Sequence, residues 1–237
     1  MMRLVFLCDF DGTVSPTDIG KCFIERFTPA PGTHLPELER RWRSGEFGHR
    51  ELTKAECESV RCGAAEAGAF ADGFRLDPHF APFARTALER GDEVCVLSEG
   101  FDFYIRALLE REGLLSVPYF SNHLRFEGDR VVPEFPYHAR SCGRCGNCKG
   151  AHVRDWRSRG YRTVLVGDGL SDRCAAREAD VVLARDSLLE WCRSEGRAAR
   201  EFGTFADVAA IALELERGAA EAGRIENGAV PRAIERP

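Results

Sequence analysis

The most constraining feature of the chain is a short apolar segment that ends in two carboxylates and a glycine, LVFLCDFDGT at residues 4–13. The apolar run before Asp9 predicts a buried β-strand. Alternate residues of an extended chain project to the same side, so Asp9 and Asp11 face one site while Phe10 faces the core. Gly12 permits a sharp turn directly afterwards. The carboxylate pair is therefore expected at the carboxyl end of a strand, where open α/β sheets bind their ligands.

A calcium-binding loop and a chance surface turn both fit this segment less well. A calcium-binding loop also begins Asp-x-Asp, but it needs glycine at its sixth position and glutamate at its twelfth. This chain has Val14 and Gly20 there. A chance surface turn does not account for a buried strand that leads into two acids, because buried carboxylates need partners. Two carboxylates at a strand end instead favour phosphoryl chemistry.

Composition and charge exclude several classes of protein. The chain has 237 residues, enough for one domain with an insertion or for two domains. Its formal net charge is −5, so it lacks the basic field that recruits nucleic acid. No segment resembles a membrane span or a signal peptide. Apart from one cluster, the ten cysteines are scattered, which suits a reducing compartment. We therefore expect a cytoplasmic protein with neither nucleic-acid nor membrane partners.

Strand and helix signals alternate along most of the chain beyond residue 76. Strands are predicted at 93–97, 161–166 and 181–183, and helices at 77–90 and 101–112. This alternation predicts an α/β fold with a mostly parallel sheet that is covered by helices on both faces.

Three regions depart from that alternation. Residues 15–75 contain no β-branched runs and are rich in Glu, Arg, Ala and Leu, which predicts a helical insertion. Residues 124–132 alternate weakly around a Glu-Gly-Asp turn and predict a small hairpin. Residues 218–237 lack apolar periodicity and predict a flexible tail.

Three further segments lie where a site for a phosphate ester would need them. The first is Ser98-Glu99-Gly100, at the mouth of the second strand. Ser98 offers a hydroxyl, and the amides of Glu99 and Gly100 could hold phosphate oxygens at the start of the next helix. The alternative is that Ser98 is an ordinary helix cap.

The other two segments supply a positive charge and more acids. Lys149 is one of only three lysines among 33 basic residues, and it could neutralise a nucleophile and a phosphoryl group. The alternative is a solvated lysine. Residues 167–172, GDGLSD, place Asp168 and Asp172 at another strand end. A polar turn with a capped helix would explain Ser171 but not Asp168.

In this order, these four segments resemble the motifs of the haloacid dehalogenase (HAD) superfamily of phosphatases. The resemblance implies a Rossmann-like core. It implies that Asp9 is the nucleophile that becomes aspartyl phosphate, and that Asp11 protonates the leaving oxygen and later activates water. It also implies a Mg²⁺ ion between Asp9, the backbone carbonyl of Asp11 and Asp168, with Asp172 close by. A hard divalent ion of this kind lets a carboxylate attack an anionic phosphoryl group.

The resemblance extends to one subclass of the superfamily. Residues 15–75 occupy the position of the small helical cap of phosphoserine phosphatases. The segments 96–105, 145–149, 42–45 and 50–52, together with Asn122, are similar to the methionine-salvage branch. Glu99 is a departure, since glycine or aspartate is expected there.

The subclass implies a division into domains. Residues 1–14 and 76–217 would form the core domain, residues 15–75 the helical cap domain, and residues 218–237 the tail.

The branch implies a phosphomonoesterase that acts on a small phosphorylated metabolite, 2-hydroxy-3-keto-5-methylthiopentenyl-1-phosphate. Phosphoserine, phosphocholine and phosphoethanolamine are alternative substrates. A non-catalytic binding module would be expected to lose Asp9, Asp11, Lys149 or Asp168, and none is missing. A phosphonate hydrolase would need a Schiff-base lysine from the cap, where Lys21 and Lys54 lie.

A cysteine cluster precedes Lys149. Cys142, Cys145 and Cys148 are spaced for metal binding, and with His138 they would make a tetrahedral zinc site. Reduced thiols that shape the loop, redox pairing, and another metal are the alternatives.

Specificity for the leaving group is expected in the cap, because the core motifs contact only groups common to every phosphate ester. Trp42 and Phe47 offer apolar surface, while Arg40, Arg41 and Arg43 could meet a carboxylate. Alternatively, these residues form the cap's own helix and its solvated face.

Overall fold

A computed structural model describes residues 3–32, 34–138 and 142–228 of the chain, and of residues 218–228 it describes only the backbone. The strands are β1 (Leu4–Asp9), β2 (Glu93–Phe101), β3 (Tyr119–Glu127), β4 (Arg130–Glu134), β5 (Arg162–Gly167), β6 (Val181–Ala184) and β7 (Arg200–Glu201). The helices are α1 (Ile19–Phe27), α2 (Leu35–Arg43), α3 (His49–Ser59), α4 (Ala64–Ala71), α5 (Phe80–Glu89), α6 (Asp102–Arg111), α7 (Lys149–Ser158), α8 (Arg173–Glu178), α9 (Asp186–Ser194) and α10 (Phe205–Gly228).

These strands form a single sheet in the order β4-β3-β2-β1-β5-β6-β7. Neighbouring strands are parallel, except for β3 and β4, which form an antiparallel hairpin. The predicted mostly parallel sheet is confirmed, and β1 lies at its centre. A central parallel strand is buried on both faces, which is why its sequence is an almost continuous apolar run.

The side chains of β1 alternate between two hydrophobic clusters. Leu4, Phe6 and Cys8 pack on one face with residues of α5, α6 and α10. Val5 and Leu7 pack on the other face with residues of α7, α8 and α9. Helices therefore cover both faces, as predicted, and polar chemistry is confined to the ends of the strands.

The segment predicted as a helical insertion contains α1 to α4. Phe23 of α1 contacts Phe103 of α6 with ring centroids 5.1 Å apart, so aromatic packing joins the insertion to the helices beside the sheet. The predicted hairpin is also present, with Glu127 opposite Arg130 beside the turn. The division into a core domain and a cap domain remains a prediction.

The end of the chain differs from the expectation. α10 continues through residues 218–228, where a flexible tail was predicted, because alanine, glutamate and arginine propagate a helix even without apolar periodicity. The rest of that predicted tail, residues 229–237, lies outside the described residues. Within the described ranges, no helix combines the length and the apolar character needed to cross a membrane.

Candidate active site

The predicted acidic residues meet at the carboxyl ends of neighbouring strands. Asp9 is the last residue of β1, Ser98 lies in β2, and Asp168 follows β5 directly. Since β1 lies between β2 and β5, the three positions are adjacent in space. A cavity of about 490 Å³ opens between these strand ends and the inserted helices α1, α2 and α3, and Asp9, Asp11 and Asp168 line it.

Asp9 lies against a buried lysine. Lys149 Nζ is 2.6 Å from Asp9 Oδ1 and 2.6 Å from Asp172 Oδ1. Burial alone would lower the pKa of Lys149, but the two carboxylates more than compensate and raise it. Lys149 is 1% exposed, so the alternative of a solvated lysine is wrong. It supplies a fixed positive charge beside Asp9.

Burial and the Asp172 carboxylate raise the pKa of Asp9, and Lys149 opposes that shift. A divalent cation at the same carboxylates would oppose it further, by favouring their ionised forms. Lys149 only partly offsets burial and Asp172, so the ionised state that a nucleophile needs calls for further positive charge at these carboxylates.

Asp11 lies in a different environment from Asp9. Its Oδ2 accepts a hydrogen bond from the Tyr104 hydroxyl at 2.6 Å, and its Oδ1 accepts from the amides of Ile19 and Gly20 at 2.8 and 3.3 Å. Burial, together with Asp18, raises the pKa of Asp11 to about 7, although these hydrogen bonds favour the charged form. A carboxyl group with that pKa can donate and accept a proton near neutral pH.

Tyr104 was not predicted as a site residue. Its only signal in the sequence is its position on the helix after Ser98, where an apolar core residue would fit equally well.

Asp168 and Asp172 form an acidic cluster with Asp9, in which one carboxylate oxygen from each of the three residues lies within 4.8 Å of the other two. Thr13 Oγ1 donates to Asp168 Oδ1 at 2.6 Å and fixes that side chain. Burial and Asp172 raise the pKa of Asp168 to about 6. Three acids against one lysine leave excess negative charge in a buried place, and hard oxygen donors suit Mg²⁺. The residues therefore fit the predicted metal.

Asp172 already has partners for both carboxylate oxygens. Oδ1 contacts Lys149, and Oδ2 accepts hydrogen bonds from the amides of Asp168 and Gly169 at 3.1 and 3.0 Å. It therefore shapes the Asp168 turn and pairs with the lysine, which leaves Asp9 and Asp168 as the freer metal ligands.

Glycine is required at two positions of the site. Gly12 has a φ of +79°, and a Cβ there would lie 2.6 Å from Asp168 Oδ2. At Gly100 a Cβ would lie 2.5 Å from Asp11 Oδ2 and still closer to the Tyr104 hydroxyl. Both distances are too short for real atoms, so glycine lets the carboxylates approach the backbone.

Ser98 is buried beside Asp11 rather than at a helix start. Its Oγ donates to Asp11 Oδ2 at 3.4 Å and accepts from the Gly100 amide at 2.8 Å. β2 continues to Phe101 and α6 begins at Asp102, so Ser98 does not cap that helix. The Gly100 amide already donates to Ser98 Oγ, and its binding of a phosphate oxygen stays a prediction.

Glu99, the departure from the family pattern, connects the site to two other regions. Its Oε2 accepts hydrogen bonds from the amides of Gly146 and Asn147 at 3.0 and 3.3 Å and lies 3.2 Å from His49 Nδ1. Burial would raise the pKa of Glu99, but His49 and the Asn147 amide lower it overall. The Glu99 carboxylate thus links α3 of the inserted segment to the loop before Lys149, which sequence alone did not reveal.

The cap residues predicted to set specificity divide into two groups. Trp42 and Arg43 line the cavity. Phe47, Arg40 and Arg41 are not among its lining residues. Arg41 lies over the Phe47 ring and pairs with Glu46, and Arg40 pairs with Glu37. The alternative of a solvated helix face fits Arg40 and Arg41 of α2, whereas Phe47 lies between α2 and α3.

Acidic side chains dominate the part of the cavity that the cap forms. Asp18, Glu25, Glu39 and Glu56 line it, against Lys21, Arg43 and His49. Glu39 pairs with both Lys21 and Arg43, at 3.4 and 2.7 Å. Burial raises the pKa of Glu56 to about 7, with His49 acting in the opposite direction. The cavity therefore offers little free positive charge to a second anionic group.

The three predicted cysteines come together, but His138 does not join them. The thiols of Cys142, Cys145 and Cys148 form a group with Cys174 of α8, and all four sulfur atoms lie within 4.8 Å of one another. His138 Nδ1 instead lies 2.7 Å from the carbonyl oxygen of Phe135. The predicted ligand set is therefore corrected, with Cys174 in place of His138.

Sequence comparison connects the chain with one family of hydrolases. The family model for haloacid dehalogenase-like hydrolases matches residues 6–177. A 2-hydroxy-3-keto-5-methylthiopentenyl-1-phosphate phosphatase of Geobacillus kaustophilus is 31% identical, over 87% of this chain and 94% of the relative. One of the same name from Brevibacillus brevis is 28% identical, over 91% of this chain and 97% of the relative.

Solved structures agree on the fold. A substrate-bound complex of phosphoserine phosphatase superposes with a TM-score of 0.65 at 17% identity, covering 88% of this chain and 97% of the other. A phospho-aspartyl intermediate analogue of phosphoserine phosphatase gives a TM-score of 0.66 at 18% identity, covering 88% and 98%. These likenesses show the α/β architecture of the sheet, its helices and the inserted segment.

Proposed function

Since the chain belongs to the haloacid dehalogenase-like hydrolases and is a phosphoric monoester hydrolase, we propose that it hydrolyses 2-hydroxy-3-keto-5-methylthiopentenyl-1-phosphate. The proposal extends to this chain the substrate in the names of relatives that match most of its length. The observation that carries the chemistry is the different surroundings of two neighbouring acids: the Asp9 carboxylate contacts the Lys149 ammonium at 2.6 Å, whereas Asp11 accepts hydrogen bonds from the neutral Tyr104 hydroxyl and the Ile19 amide.

That contrast assigns a role to each acid. Asp9, with Lys149 and the proposed cation opposing its raised pKa, attacks phosphorus as a carboxylate and forms an aspartyl phosphate as the phosphate–oxygen bond of the ester breaks. Asp11 is protonated near neutral pH and gives its proton to the leaving oxygen. It then accepts a proton from the water that hydrolyses the acyl phosphate, so a group with a pKa close to 7 serves both half-reactions.

Positive charge at the site lowers the repulsion between a carboxylate and a phosphate dianion. Lys149 supplies one charge from behind Asp9, held there by Asp172. We propose that Asp9, Asp168 and the backbone carbonyl of Asp11 hold Mg²⁺, with Asp172 close by. When bound, the ion supplies charge neutralisation at the transferring group. HAD phosphatases generally use this ion, and the acidic cluster fits it.

Phosphate binding is proposed for the end of β2. The Ser98 hydroxyl lies between Asp11 and the Gly100 amide, and Ser98 lines the same cavity as Asp9. The amides of Glu99 and Gly100 are the other proposed donors. The Glu99 side chain is excluded from that role because it bonds the amides of Gly146 and Asn147.

Features of the cap support a leaving group without a carboxylate. The Trp42 indole and the apolar side chains of Ile24, Leu35 and Leu52 line the cavity, and they suit a thioether. Arg43, the lining arginine that could meet the carboxylate of phosphoserine, pairs with Glu39 at 2.7 Å. Glu56, with a pKa of about 7, can donate a hydrogen bond to a keto or hydroxyl oxygen while it is protonated.

A cationic leaving group is the second candidate. An indole ring beside several carboxylates is a suitable environment for a quaternary or primary amine. Trp42 lines the same cavity as Glu39 and Glu56, which favours phosphocholine or phosphoethanolamine over phosphoserine.

The test is a comparison of kcat/KM for the methionine-salvage ester, phosphocholine, phosphoethanolamine and phosphoserine, with Mg²⁺ present. We expect the methionine-salvage ester to have the highest kcat/KM. A preference of about tenfold for any other, equivalent to about 1.4 kcal/mol in transition-state binding, would overturn the substrate assignment.

Matched aromatic variants in the cap provide a control for that comparison. Trp42→Ala should raise KM for the preferred ester because Trp42 lines the cavity. Phe47→Ala, a similar truncation a few residues away that does not line the cavity, should leave KM unchanged. Equal changes in KM in the two variants would show that Trp42 does not contact the leaving group.

The proposed setting is a metabolic enzyme of the cytoplasm whose partner is the small ester itself. The free cysteines among the described residues and the acidic cavity are compatible with that setting.

A further inference from the structure

Four cysteine thiols form a group that shares no residue with the acidic cluster. Three belong to the loop before α7, and the fourth, Cys174, lies in the first turn of α8. Around a tetrahedral zinc ion with Zn–S bonds of about 2.3 Å, sulfur atoms are about 3.8 Å apart. The Cys142 and Cys145 sulfurs are 3.5 Å apart, and no pair in the group exceeds 4.8 Å. The group therefore already has the dimensions of a tetrahedral site.

We propose that Cys142, Cys145, Cys148 and Cys174 bind one zinc ion as a structural site. Four thiolates form a closed coordination sphere with no position for water, which is typical of a structural rather than a catalytic ion. The donors are soft sulfur atoms, whereas the acidic cluster offers hard oxygen atoms. The two sites therefore select different metals, zinc for the thiols and magnesium for the carboxylates.

Because Cys174 belongs to α8, a metal ion bound by all four cysteines would join α8 to the loop before α7. Cys174 lies in α8 and is 26 residues after Cys148 in the sequence. A Cβ added at Gly150 would lie 2.9 Å from the Cys174 carbonyl oxygen, so the first turn of α7 packs directly on α8. A metal shared by these segments would hold α7 and α8 in that contact.

The crosslink lies next to the catalytic pair of the proposed function. Cys148 immediately precedes Lys149, and Cys174 is two residues after Asp172. Lys149 and Asp172 are in turn 2.6 Å apart. Fixing both cysteines to one ion would therefore fix the position from which Lys149 reaches Asp9.

The same loop also contacts the cap. Arg144 Nη2 donates to the carbonyl oxygens of Gly45 and Phe47 at 2.7 and 3.0 Å, and the Arg50 amide donates to the Arg144 carbonyl at 3.1 Å. Gly146 bonds Glu99, which pairs with His49 of the cap. A rigid metal-bound loop would thus support the cap segment at residues 45–50 as well as Lys149.

Metal analysis of the protein purified without chelator tests the proposal, and it does not depend on the substrate or on catalysis. We expect about one zinc per chain by inductively coupled plasma mass spectrometry after gel filtration. Cys174→Ser should lose most of this zinc. Cys22→Ser, at a partly buried cysteine outside the group, should retain it, and so should His138→Ala.

Several outcomes would overturn the proposal. They are negligible zinc in the wild-type protein, iron in its place, or equal zinc in Cys174→Ser and wild type. A loss of zinc in His138→Ala would overturn the four-cysteine ligand set. A thiol titration of the unfolded wild-type protein separates the redox alternative, because zinc binding leaves all ten thiols reactive once a chelator is added. A disulfide would remove two of them.

Cobalt substitution keeps the test decisive if Cys174→Ser fails to fold. Wild-type protein stripped of zinc and supplied with Co²⁺ should show the thiolate-to-cobalt charge-transfer band and the intense visible bands of tetrahedral coordination. With Mg²⁺ kept at one saturating concentration throughout, zinc removal should also lower Tm, and added Zn²⁺ should restore it. Absence of the thiolate band, or a Tm that zinc removal leaves unchanged, would refute the site.

Discussion

Replacing Glu56 by glutamine should stabilise the protein at alkaline pH and leave its stability almost unchanged in acid. Glu56 is partly buried in the cap cavity, near His49, Asp18, Glu39 and Lys21. Its pKa rises from 4.5 to about 7, because burial penalises the charged form more than His49 favours it. The side chain is therefore neutral over a pH range in which an unfolded chain would carry the charge.

The sign of the effect follows from proton binding. Below pH 4.5 the acid is protonated in both states, so it contributes no charge penalty. Between pH 4.5 and about 7 the folded state binds more protons than the unfolded state, and the free energy of unfolding falls as the pH rises. The pKa difference of about 2.5, at about 1.36 kcal/mol per pKa unit, sets an upper limit of about 3 kcal/mol on the stability lost through the charge of Glu56. Because the side chain is partly exposed, solvent screening reduces this loss. We therefore expect Glu56→Gln to raise the free energy of unfolding at alkaline pH by about 1–3 kcal/mol.

Urea denaturation at a series of pH values from about 5 to 8, at constant Mg²⁺ and ionic strength, measures the effect. The difference in free energy of unfolding between Glu56→Gln and wild type should grow with pH and then level off above the folded-state pKa. Glu58→Gln, at an exposed position of the same helix, provides the matched control and should follow wild type. A difference between Glu56→Gln and wild type that does not change with pH would refute the reasoning.

The parts of the site that the sequence revealed are those encoded within a few residues. Asp9 and Asp11 were predictable because a buried strand imposes a period of two, and glycine marks the turn that follows. Asp168 was predictable in the same way from β5. A fold with a parallel sheet places such strand ends side by side, so the local signals were sufficient to assemble them.

Residues whose role depends on distant contacts could not be predicted. Glu99 looked like a disturbance of the phosphate loop, but its partners are His49 and the amide of Gly146, far away in the sequence. Cys174 stands alone in its segment, so no spacing rule joined it to the cysteine cluster. Tyr104 looked like a core aromatic residue, and only the folded chain brings its hydroxyl to Asp11.

Secondary structure was missed where the local signal is short or weak. β7 has two residues and exists because β6 offers it a parallel edge. β3 begins at Tyr119, before the predicted hairpin, since its first part pairs with β2 and is ordered by that neighbour rather than by its own alternation.

Three further predictions concern catalysis. Asp9→Asn should reduce phosphate release below about a hundredth of wild type with an unchanged circular dichroism spectrum, because an amide cannot attack phosphorus; more residual turnover would exclude covalent catalysis. Chelator should abolish activity, and Asp168→Ala should need more Mg²⁺ for its recovery; full activity in excess chelator would refute the metal site. Tyr104→Phe removes a hydrogen bond that lowers the pKa of Asp11. Hydrogen bonds to charged groups contribute about 1.5–3 kcal/mol, so the pKa should rise by about 1–2 units. Because Asp11 must be protonated to act as the acid, the alkaline limb of kcat/KM should move up by that amount, whereas Tyr119→Phe should leave it in place. An unmoved limb in Tyr104→Phe would mean that Asp11 does not protonate the leaving oxygen.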